Sequence, residues 1–368
     1  MRKVLITSFL SLMALVLSYG LAFAISGQCV NCHTMHNSQN GLPMTVGGGP
    51  FLQLLRADCI PCHTGPRDIV DYPLDKKNSF GAPIVLDTSN PNGQGGGSTL
   101  AGGDFWWVAT AGGHTDSMGH NVATIANEDQ FIGGGTAGFT PPGWDPTATP
   151  SKNANCLGQI NNGQAWGVQV TCAGLYGCHG NHSDTNQMAA IKGAHHGNTG
   201  GTSTSATNPT SSGGSYRFLC GIKGLENGSW NFNETSSSHN EYYGVPSNVG
   251  YADTSTISYS CAECHGVFHS GIGPSPYLRH PTDIPLTATP GSEYLAYTVY
   301  SVQAPVARSA VPANSSQTVT PGSDIVMCLS CHRAHGSPYA DLLRWDYTTM
   351  IAGAGGPRTG CFTCHTQK

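Results

Sequence analysis

The feature that most constrains this chain is a short motif, Cys-x-x-Cys-His, which occurs five times in 368 residues. Such a motif attaches a c-type haem: the two thiols add across the vinyl groups of the porphyrin, and the histidine becomes the proximal ligand of the iron. A zinc knuckle or a thiol redox pair would explain a single copy, but neither explains the regular histidine. The pattern therefore predicts a multihaem c-type cytochrome. The five copies are Cys29, Cys32 and His33; Cys59, Cys62 and His63; Cys261, Cys264 and His265; Cys328, Cys331 and His332; and Cys361, Cys364 and His365.

Four cysteines lie outside these motifs, namely Cys156, Cys172, Cys178 and Cys220. Cys178 and His179 reproduce the end of the motif, and five residues separate Cys172 from Cys178 in place of the usual two. Since the spacer has only to arch over the edge of the ring, we interpret this segment as a sixth haem site. The alternative is that Cys172 and Cys178 form disulfides with Cys156 and Cys220. With a sixth haem, Cys156 and Cys220 are free to form one disulfide, which an oxidising compartment permits.

The N-terminus has the pattern of an export signal. Two basic residues follow the initial Met, an apolar run covers residues 4–21, and small residues at 22–24 suit a signal peptidase. The alternative is a retained membrane anchor, for which the apolar run is short. We expect a signal peptide at residues 1–24 and one multihaem cytochrome domain at 25–368, exported from the cytoplasm.

The composition favours a fold with little regular structure. Glycine and proline are abundant, at 49 and 23 residues, and only 10% of the residues are charged. We expect mostly irregular chain with short helices at the haem motifs and few strands, wrapped around the haems as the core. Alternation at residues 294–302 predicts one short strand, and Phe105, Trp106 and Trp107 are interpreted as haem-packing aromatics. The formal net charge of -5 argues against a nucleic-acid partner.

The remaining histidines decide between electron transfer and catalysis, because an iron with two protein ligands has no open position for a substrate. His36, His182 and His335 each follow a proximal histidine by three residues, and His269 follows one by four. On a helical turn such residues lie on the same side. Two histidines so placed cannot bind one iron from opposite faces, but they can serve two adjacent haems. The spacing therefore predicts closely stacked haem pairs, whereas a single such histidine would more often be a surface residue.

Several longer strings resemble the hexahaem outer-surface c-type cytochromes that polymerise into extracellular filaments. The resemblance runs in order along essentially the whole mature chain, although the Gly/Ser-rich loops differ and the third site has a five-residue spacer where the family has two. The strings are CVNCHTMHNS at 29–38, GGDFWWV at 102–108, Gly119-His120-Asn121, CAECH followed by His269, LRHP at 278–281, CLSCHRAH at 328–335 and the closing CFTCH.

The resemblance implies six covalently bound haems, all with two histidine ligands. It further implies that His36 ligates a late haem of the next subunit in a head-to-tail filament at the cell surface, with upstream cytochromes and extracellular acceptors as partners. His114, His195, His196 and His239 are left as spare residues, exposed or hydrogen-bonded. The distal ligands that the resemblance implies are His36, His120, His182, His269, His280 and His335.

Two alternatives to the filament stay open. In the first, His36 serves its own chain and the protein is a monomeric periplasmic electron shuttle. In the second, one haem lacks a distal ligand and the protein is a multihaem reductase of the nitrite or hydroxylamine type. Such enzymes often carry a Cys-x-x-Cys-Lys motif, which does not occur in this sequence. We therefore interpret the protein as an electron carrier rather than an enzyme.

Overall fold

The structure is a computed structural model, and it describes part of the chain. The described residues are 35, 38–39, 42–43, 59–65, 82–91, 99–109, 116–122, 125, 141–144, 168–191, 215–228, 232–246, 253–268, 280–354 and 358–368. Within these ranges there is no helix of the length and apolar character needed to cross a membrane. The predicted signal peptide lies outside the described residues.

Secondary structure in these ranges consists of very short elements joined by irregular chain, as the composition predicts. The α-helices are α1 (Trp106–Ala109), α2 (Gln187–Ala190) and α3 (Ile257–Ala262). Single turns of 3-10 helix occur at Asp116–Met118, Tyr216–Phe218, Gly266–Phe268, Glu293–Ala296, Cys328–Ser330, Ala340–Leu342, Tyr347–Thr349 and Gly360–Thr363. The strands are β1 (Ser38–Gln39), β2 (Leu42–Pro43), β3 (Thr64–Gly65), β4 (Leu86–Asp87), β5 (Thr171–Ala173), β6 (Gly177–His179), β7 (Gly224–Leu225), β8 (Glu241–Tyr243), β9 (Ile284–Pro285), β10 (Ala307–Arg308) and β11 (Ile325–Val326).

The largest sheet has five strands in the order β7-β8-β10-β11-β9. Strands β8 and β10 are parallel, and the other pairs are antiparallel. Successive residues of a strand point to opposite faces, and accordingly Ile325 and Val326 belong to different apolar clusters. The first cluster contains Tyr216, Ile222, Tyr242, Ile257, Tyr259, Ala307, Ile325, Met327 and Leu329, and the second contains Leu286, Tyr297, Tyr300, Val306, Val319 and Val326. Protein side chains therefore form part of the core, whereas the sequence led us to expect the haems to form it.

The longest helix, α3, ends in a haem motif. Thr256 caps its N-terminus, where the threonine hydroxyl accepts a hydrogen bond from the amide of Tyr259. Ile257, Ser258 and Tyr259 are buried, so the first turn is packed into the protein. The last turn reaches Cys261, from which the chain runs on to Cys264 and His265. The cap and the buried face together fix where this attachment site begins.

The strand predicted at residues 294–302 is wrong. Residues Glu293–Ala296 form a 3-10 turn, which Ser292 caps by accepting a hydrogen bond from the amide of Tyr294. Tyr294, Tyr297 and Tyr300 all contact the second apolar cluster. A spacing of three residues suits a tightly coiled segment rather than the two-residue repeat of a strand.

Candidate haem sites

The attachment cysteines are available for chemistry wherever the structure describes them. Cys29, Cys32, His33 and the candidate ligands His36 and His269 lie outside the described residues. None of the ten described motif cysteines forms a disulfide, and they are Cys59, Cys62, Cys172, Cys178, Cys261, Cys264, Cys328, Cys331, Cys361 and Cys364. The alternative in which Cys172 and Cys178 form disulfides does not occur in the structure. Cys220 does form a disulfide, and its partner lies outside the described residues.

Four motifs share one backbone conformation. The amide of each motif histidine donates to the carbonyl four residues earlier, on the first cysteine, at 3.1 Å for His63, 2.9 Å for His265, 3.1 Å for His332 and 3.0 Å for His365. An i to i−4 hydrogen bond closes one helical turn. The turn places two cysteines three residues apart on the same side. The short helices predicted at the haem motifs therefore occur, as single turns.

The segment with the long spacer has a different backbone. Cys172 lies in β5 and Cys178 in β6, two short parallel strands joined by a tight connection. Gly174 has a φ of +90°, a conformation that side chains other than glycine rarely adopt. The amide of Cys172 donates to the side chain of Gln187 at 2.9 Å. The five-residue spacer is therefore accommodated by a strand pair, which brings His179 to the end of β6.

All five described proximal histidines use the same ring nitrogen to bond the protein. A carbonyl or carboxylate oxygen can only accept, so Nδ1 carries the proton and Nε2 has the lone pair that a metal requires. Such outer bonds fix the tautomer and the ring orientation of metal-binding histidines. The Nδ1 contacts are His63 to Pro83 O at 2.9 Å, His179 to Arg217 O at 2.9 Å, His265 to Pro142 O at 2.6 Å, His332 to Asp341 O at 2.6 Å and His365 to Glu293 Oε1 at 3.1 Å.

Burial disfavours the protonated form of four of these imidazoles, those of His63, His179, His265 and His332. Burial lowers the pKa of His179 to about 4, and the nearby imidazoles of His63 and His182 lower it further. Burial also lowers the pKa of His265 to about 4, and His120 adds to this shift. The neutral ring is the form that binds iron. These four histidines are thus in the ligand form at neutral pH.

Three proximal histidines face a second imidazole at a nearly constant separation. The ring centroids are 6.0 Å apart for His120 and His265, 6.3 Å for His179 and His335, and 6.1 Å for His280 and His365. Metal–imidazole bonds of about 2 Å, with about 1 Å from each bonding nitrogen to its ring centre, place two axial rings about 6 Å apart. The three pairs fit two rings on opposite sides of one haem iron.

His335 shows how such a pair is held. Its amide donates to the carbonyl of Gly102 at 2.6 Å, and its ring stacks on Phe105 with centroids 4.6 Å apart. A Cβ atom at Gly102 would lie 2.8 Å from His335 Nδ1, so only glycine leaves room for the ring. The GGDFWWV segment thus positions His335, and Phe105 packs on this histidine.

His335, which follows His332 by three residues, takes part in an imidazole pair, but it does not lie on the helical turn that the sequence predicted. Residues 333–335 are irregular rather than part of a helical turn, so that assumption is wrong for this motif. His335 nevertheless pairs with His179, on a different motif, instead of with its own neighbour His332. The prediction that spaced histidines serve different sites therefore agrees with this pair.

His182 has another arrangement. Its Nε2 lies 3.3 Å from the carbonyl of Cys178, and its Nδ1 lies 3.4 Å from Glu263 Oε2. Burial lowers the pKa of His182, but the Glu263 carboxylate outweighs burial and the net shift is upward. Within the described ranges no imidazole is paired with this ring, so its role as a distal ligand stays a prediction.

His239, a spare histidine on the sequence evidence, is fully buried. Its Nδ1 donates to the carbonyl of Thr235 at 2.9 Å, and its Nε2 lies 3.1 Å from Glu241 Oε1. The ring stacks on Tyr300 with centroids 3.6 Å apart. Because both ring nitrogens have hydrogen-bond partners, His239 is a hydrogen-bonded core residue. The sequence led us to expect an exposed or a hydrogen-bonded residue, and the structure shows the second. His114, His195 and His196 lie outside the described residues.

The described attachment sites follow one another in space in the order of the sequence. His63 lies close enough to His179 to affect its pKa. Burial raises the pKa of the Cys264 thiol, and nearby Cys178 raises it further. The thiols of Cys261 and Cys328 share a hydrogen bond.

The last two sites are neighbours as well. Burial raises the pKa of Cys331 to about 12, and Cys361 adds to this shift. Each described site therefore lies beside the next one along the chain.

Comparison with known proteins identifies one matching family and several similar proteins. Residues 321–368 match the family described as Doubled CXXCH motif. The chain is similar to C-type cytochrome OmcS of Geobacter sulfurreducens, with 26% identity over 93% of this chain and 86% of that protein. A solved structure, Outer Membrane Cytochrome S Filament from Geobacter Sulfurreducens, aligns over 88% of this chain and 84% of the other with 18% identity and a TM-score of 0.39. A second, Cryo-EM of the OmcS nanowires from Geobacter sulfurreducens, aligns over 86% and 83% with 20% identity and a TM-score of 0.38.

Proposed function

We propose that this multihaem c-type cytochrome carries electrons along six covalently bound haems and assembles head to tail into an extracellular filament. The observation that carries the proposal is the set of three histidine pairs with ring centroids 6.0 to 6.3 Å apart. Each pair would hold one haem iron through two imidazoles, and an iron held by two protein ligands would supply electron transfer rather than substrate binding. Electron transfer is the chemistry that such ligation supports.

The chain's own residues bind and orient the cofactors. The motif thiols would form the covalent attachments, and the Nδ1 hydrogen bonds leave Nε2 of the described proximal rings available to hold the iron. The bound iron would supply reversible exchange of single electrons between its ferric and ferrous forms. Neutral imidazoles on both sides favour a low reduction potential relative to methionine ligation. No acid–base or nucleophilic group is needed for this role.

The third attachment site belongs to the same set. Cys172 and Cys178 are free thiols, and His179 has both the Nδ1 hydrogen bond and the facing imidazole of the regular sites. A haem-free segment would not require either feature. These contacts support a sixth haem in spite of the long spacer.

The filament is supported by the site at His332 and by the relatives. In the described part of the chain no imidazole faces His332 at the separation of the three pairs. In the family that this chain resembles, the residue matching His36 ligates a late haem of the next subunit. His36 of a neighbouring copy would complete the His332 site and give a directional contact. A head-to-tail contact that repeats without closing produces a filament.

The cellular setting follows from the N-terminal pattern and the relative. A signal peptide at residues 1–24 would deliver the chain to the compartment in which c-type haems are attached. The similar protein OmcS has solved structures described as filaments and nanowires. We therefore place this protein at the cell surface, with cytochromes as electron donors and extracellular oxidants as acceptors.

The experiment that tests the proposal is cryo-electron microscopy of material sheared from the cell surface. A filament with six haems per subunit and His36 bound to a neighbour's iron is the expected result. Discrete particles in which His36 ligates its own chain would indicate a periplasmic shuttle. An iron without a distal side chain, together with stoichiometric binding of carbon monoxide by the reduced protein, would indicate a reductase.

A further inference from the structure

A buried cluster of two arginines and one glutamate lies against the haem-attachment segment 328–332. Glu234 Oε1 is 3.3 Å from Arg333 Nη2 and 3.7 Å from Arg344 Nη1. The side chains are nearly inaccessible, with exposures of 8% for Glu234, 11% for Arg333 and 1% for Arg344. Arginine stays protonated in proteins, so two positive charges face one negative charge. The described cluster has a net charge of about +1 when Glu234 is ionised.

The other contacts of the arginines are neutral. Arg333 Nη1 lies within 3.3 to 3.4 Å of the carbonyls of Leu100 and Ala101. Arg344 Nε donates to the carbonyl of Leu329 at 2.8 Å, and its Nη1 donates to the carbonyl of Val302 at 2.9 Å. Carbonyl dipoles lower the cost of burying a cation but do not cancel its charge. Arg344 Nη2 is buried and has no acceptor in the described part of the protein. Within the cluster, no second carboxylate balances the surplus positive charge.

The cluster is attached to one haem motif. The amide of Arg344 donates to the carbonyl of Cys331 at 2.8 Å, and Leu329, which accepts from its guanidinium, lies between Cys328 and Cys331. Arg333 directly follows the proximal ligand His332. Both cations are thus fixed by the same segment that holds the thioether bonds and the axial ring. Inside a protein a charge acts on its neighbours several times more strongly than across water.

We propose that Arg333 and Arg344, opposed within their cluster by Glu234, raise the reduction potential of the haem attached at Cys328 and Cys331. Reduction adds one negative charge to a haem, and a buried positive charge nearby stabilises the reduced form. This inference rests on the proposed electron-transfer function and adds a determinant of how electrons distribute among the sites. The haem at this position would hold an electron more readily than it would without the cluster.

The test is a spectroelectrochemical titration of the full-length haem-loaded protein. Arg344→Gln should shift one of the haem potentials downward, and Arg333→Gln should shift the same one in the same direction. Glu234→Gln should shift it upward, because it removes the opposing charge. Opposite signs for the two kinds of variant are the expected result. Shifts of the same sign, or no shift in either, would overturn the inference.

Controls separate charge from structural damage. Arg344→Lys keeps the charge while losing the arginine hydrogen bonds, and its potential should stay close to that of the parent. Arg308→Gln removes an arginine as buried as Arg333, which pairs with Glu241 and Asp324 in another cluster, and it should destabilise the protein without moving the haem potential. A shift in Arg308→Gln as large as that in Arg344→Gln would contradict the assignment.

The haem concerned can be identified by removing its attachment site. In a Cys328→Ser, Cys331→Ser background, Arg344→Gln should leave the remaining potentials in place, and a persisting shift would contradict the assignment. Haem content and the low-spin spectrum of the parent are measured first. Six low-spin haems with no shift in Arg344→Gln would defeat this inference and leave the proposed function standing. A parent without haem at this site would defeat both.

Discussion

The candidate haem site at residues 261–265 and the one proposed at 172–179 place the same groups on two different backbones. In the first, Cys261 and Cys264 lie on a helical turn that continues α3, whereas in the second, Cys172 and Cys178 lie on paired strands. The Nδ1–H group of each motif histidine nevertheless donates to a carbonyl that is remote in sequence. Each ring also faces a second imidazole, with centroids 6.0 Å apart for His265 and 6.3 Å apart for His179. The comparison shows that the orientation of the imidazole is held in common while the spacer between cysteines varies.

The two sites differ in what supports the backbone. The helical turn closes with its own hydrogen bonds and needs a cap at Thr256. The strand pair relies on other segments: the Gln187 side chain accepts from Cys172, and a Cβ at Gly177 would lie 2.5 Å from the carbonyl oxygen of Thr171. A longer spacer is therefore tolerated where neighbouring residues constrain it.

Removal of the attachment cysteines is expected to have the largest effect and tests whether the sites are equivalent. The double change Cys172→Ser, Cys178→Ser should cost one covalent haem, as should Cys261→Ser, Cys264→Ser, because each pair supplies both thioether bonds. Intact-protein mass spectrometry counts the haems. Cys220→Ser is the control, since Cys220 is in a disulfide, and it should keep all of them. An unchanged haem count in the first variant would show that the strand pair attaches none.

Loss of the facing imidazole should open one iron at either site. His335→Ala acts on the His179 site and His120→Ala on the His265 site, so each should convert one haem from low spin to high spin and allow carbon monoxide to bind after reduction. Absorption and electron paramagnetic resonance spectra measure the change. A fully low-spin spectrum for both variants would contradict the pairing.

His239→Ala provides a matched control for these histidine variants. It removes a buried, hydrogen-bonded ring that belongs to no pair, so the haem spectrum should stay unchanged. The free energy of unfolding should fall by about 2–4 kcal/mol, because Glu241 loses a buried partner and a cavity forms beside Tyr300. Thermal unfolding measures this loss, and a high-spin signal in this variant would show that the structure assigns His239 wrongly.

A smaller effect is expected from crowding one facing ring. Gly102→Ala would place a Cβ 2.8 Å from His335 Nδ1, so the ring must shift, and a fraction of the haem at the His179 site should become high spin. The His265 site should be unaffected. Gly228→Ala is the control, because a Cβ there meets nothing within 4 Å. Equal spectra for the two variants would mean that His335 does not require the space at Gly102.

The smallest effect is expected at the cap that distinguishes the helical site. Thr256→Ala removes the hydroxyl that accepts from Tyr259, and it should lower the free energy of unfolding by about 1 kcal/mol. All haems should remain attached, since the thioether bonds do not depend on the cap. Chemical denaturation measures the change. Loss of the haem at Cys261 would show that the cap is needed for attachment as well as stability.

The proximal residues could be predicted from sequence because covalent attachment requires neighbouring residues in one short motif. The partners of those residues could not. His120 and His265 are far apart in the chain, and the acceptor for His265 is the backbone of Pro142, which has no sequence signature. Local spacing identified His335 as a ligand candidate, but its pairing with His179 depends on how distant segments pack.

The same limit applies to the fold. Composition correctly predicted short elements, because few residues follow a helical or strand repeat over any length. It did not reveal the five-stranded sheet, whose strands of two or three residues are too short to produce a period. In residues 294–302 an apparent alternation was overridden by tyrosines that pack at intervals of three.

Four of the five proximal histidines that the structure describes are held by main-chain oxygens, those of Pro83, Arg217, Pro142 and Asp341. Every amino acid carries a carbonyl, so a substitution at such a position keeps the acceptor wherever the backbone path is kept. The side chain at such a position can therefore change by mutation while the histidine ring keeps its hydrogen bond and its tautomer. His365 is the exception, since its acceptor is the carboxylate of Glu293. A single base change can take that support away, which makes the last site the most exposed to genetic damage among the sites that the structure describes.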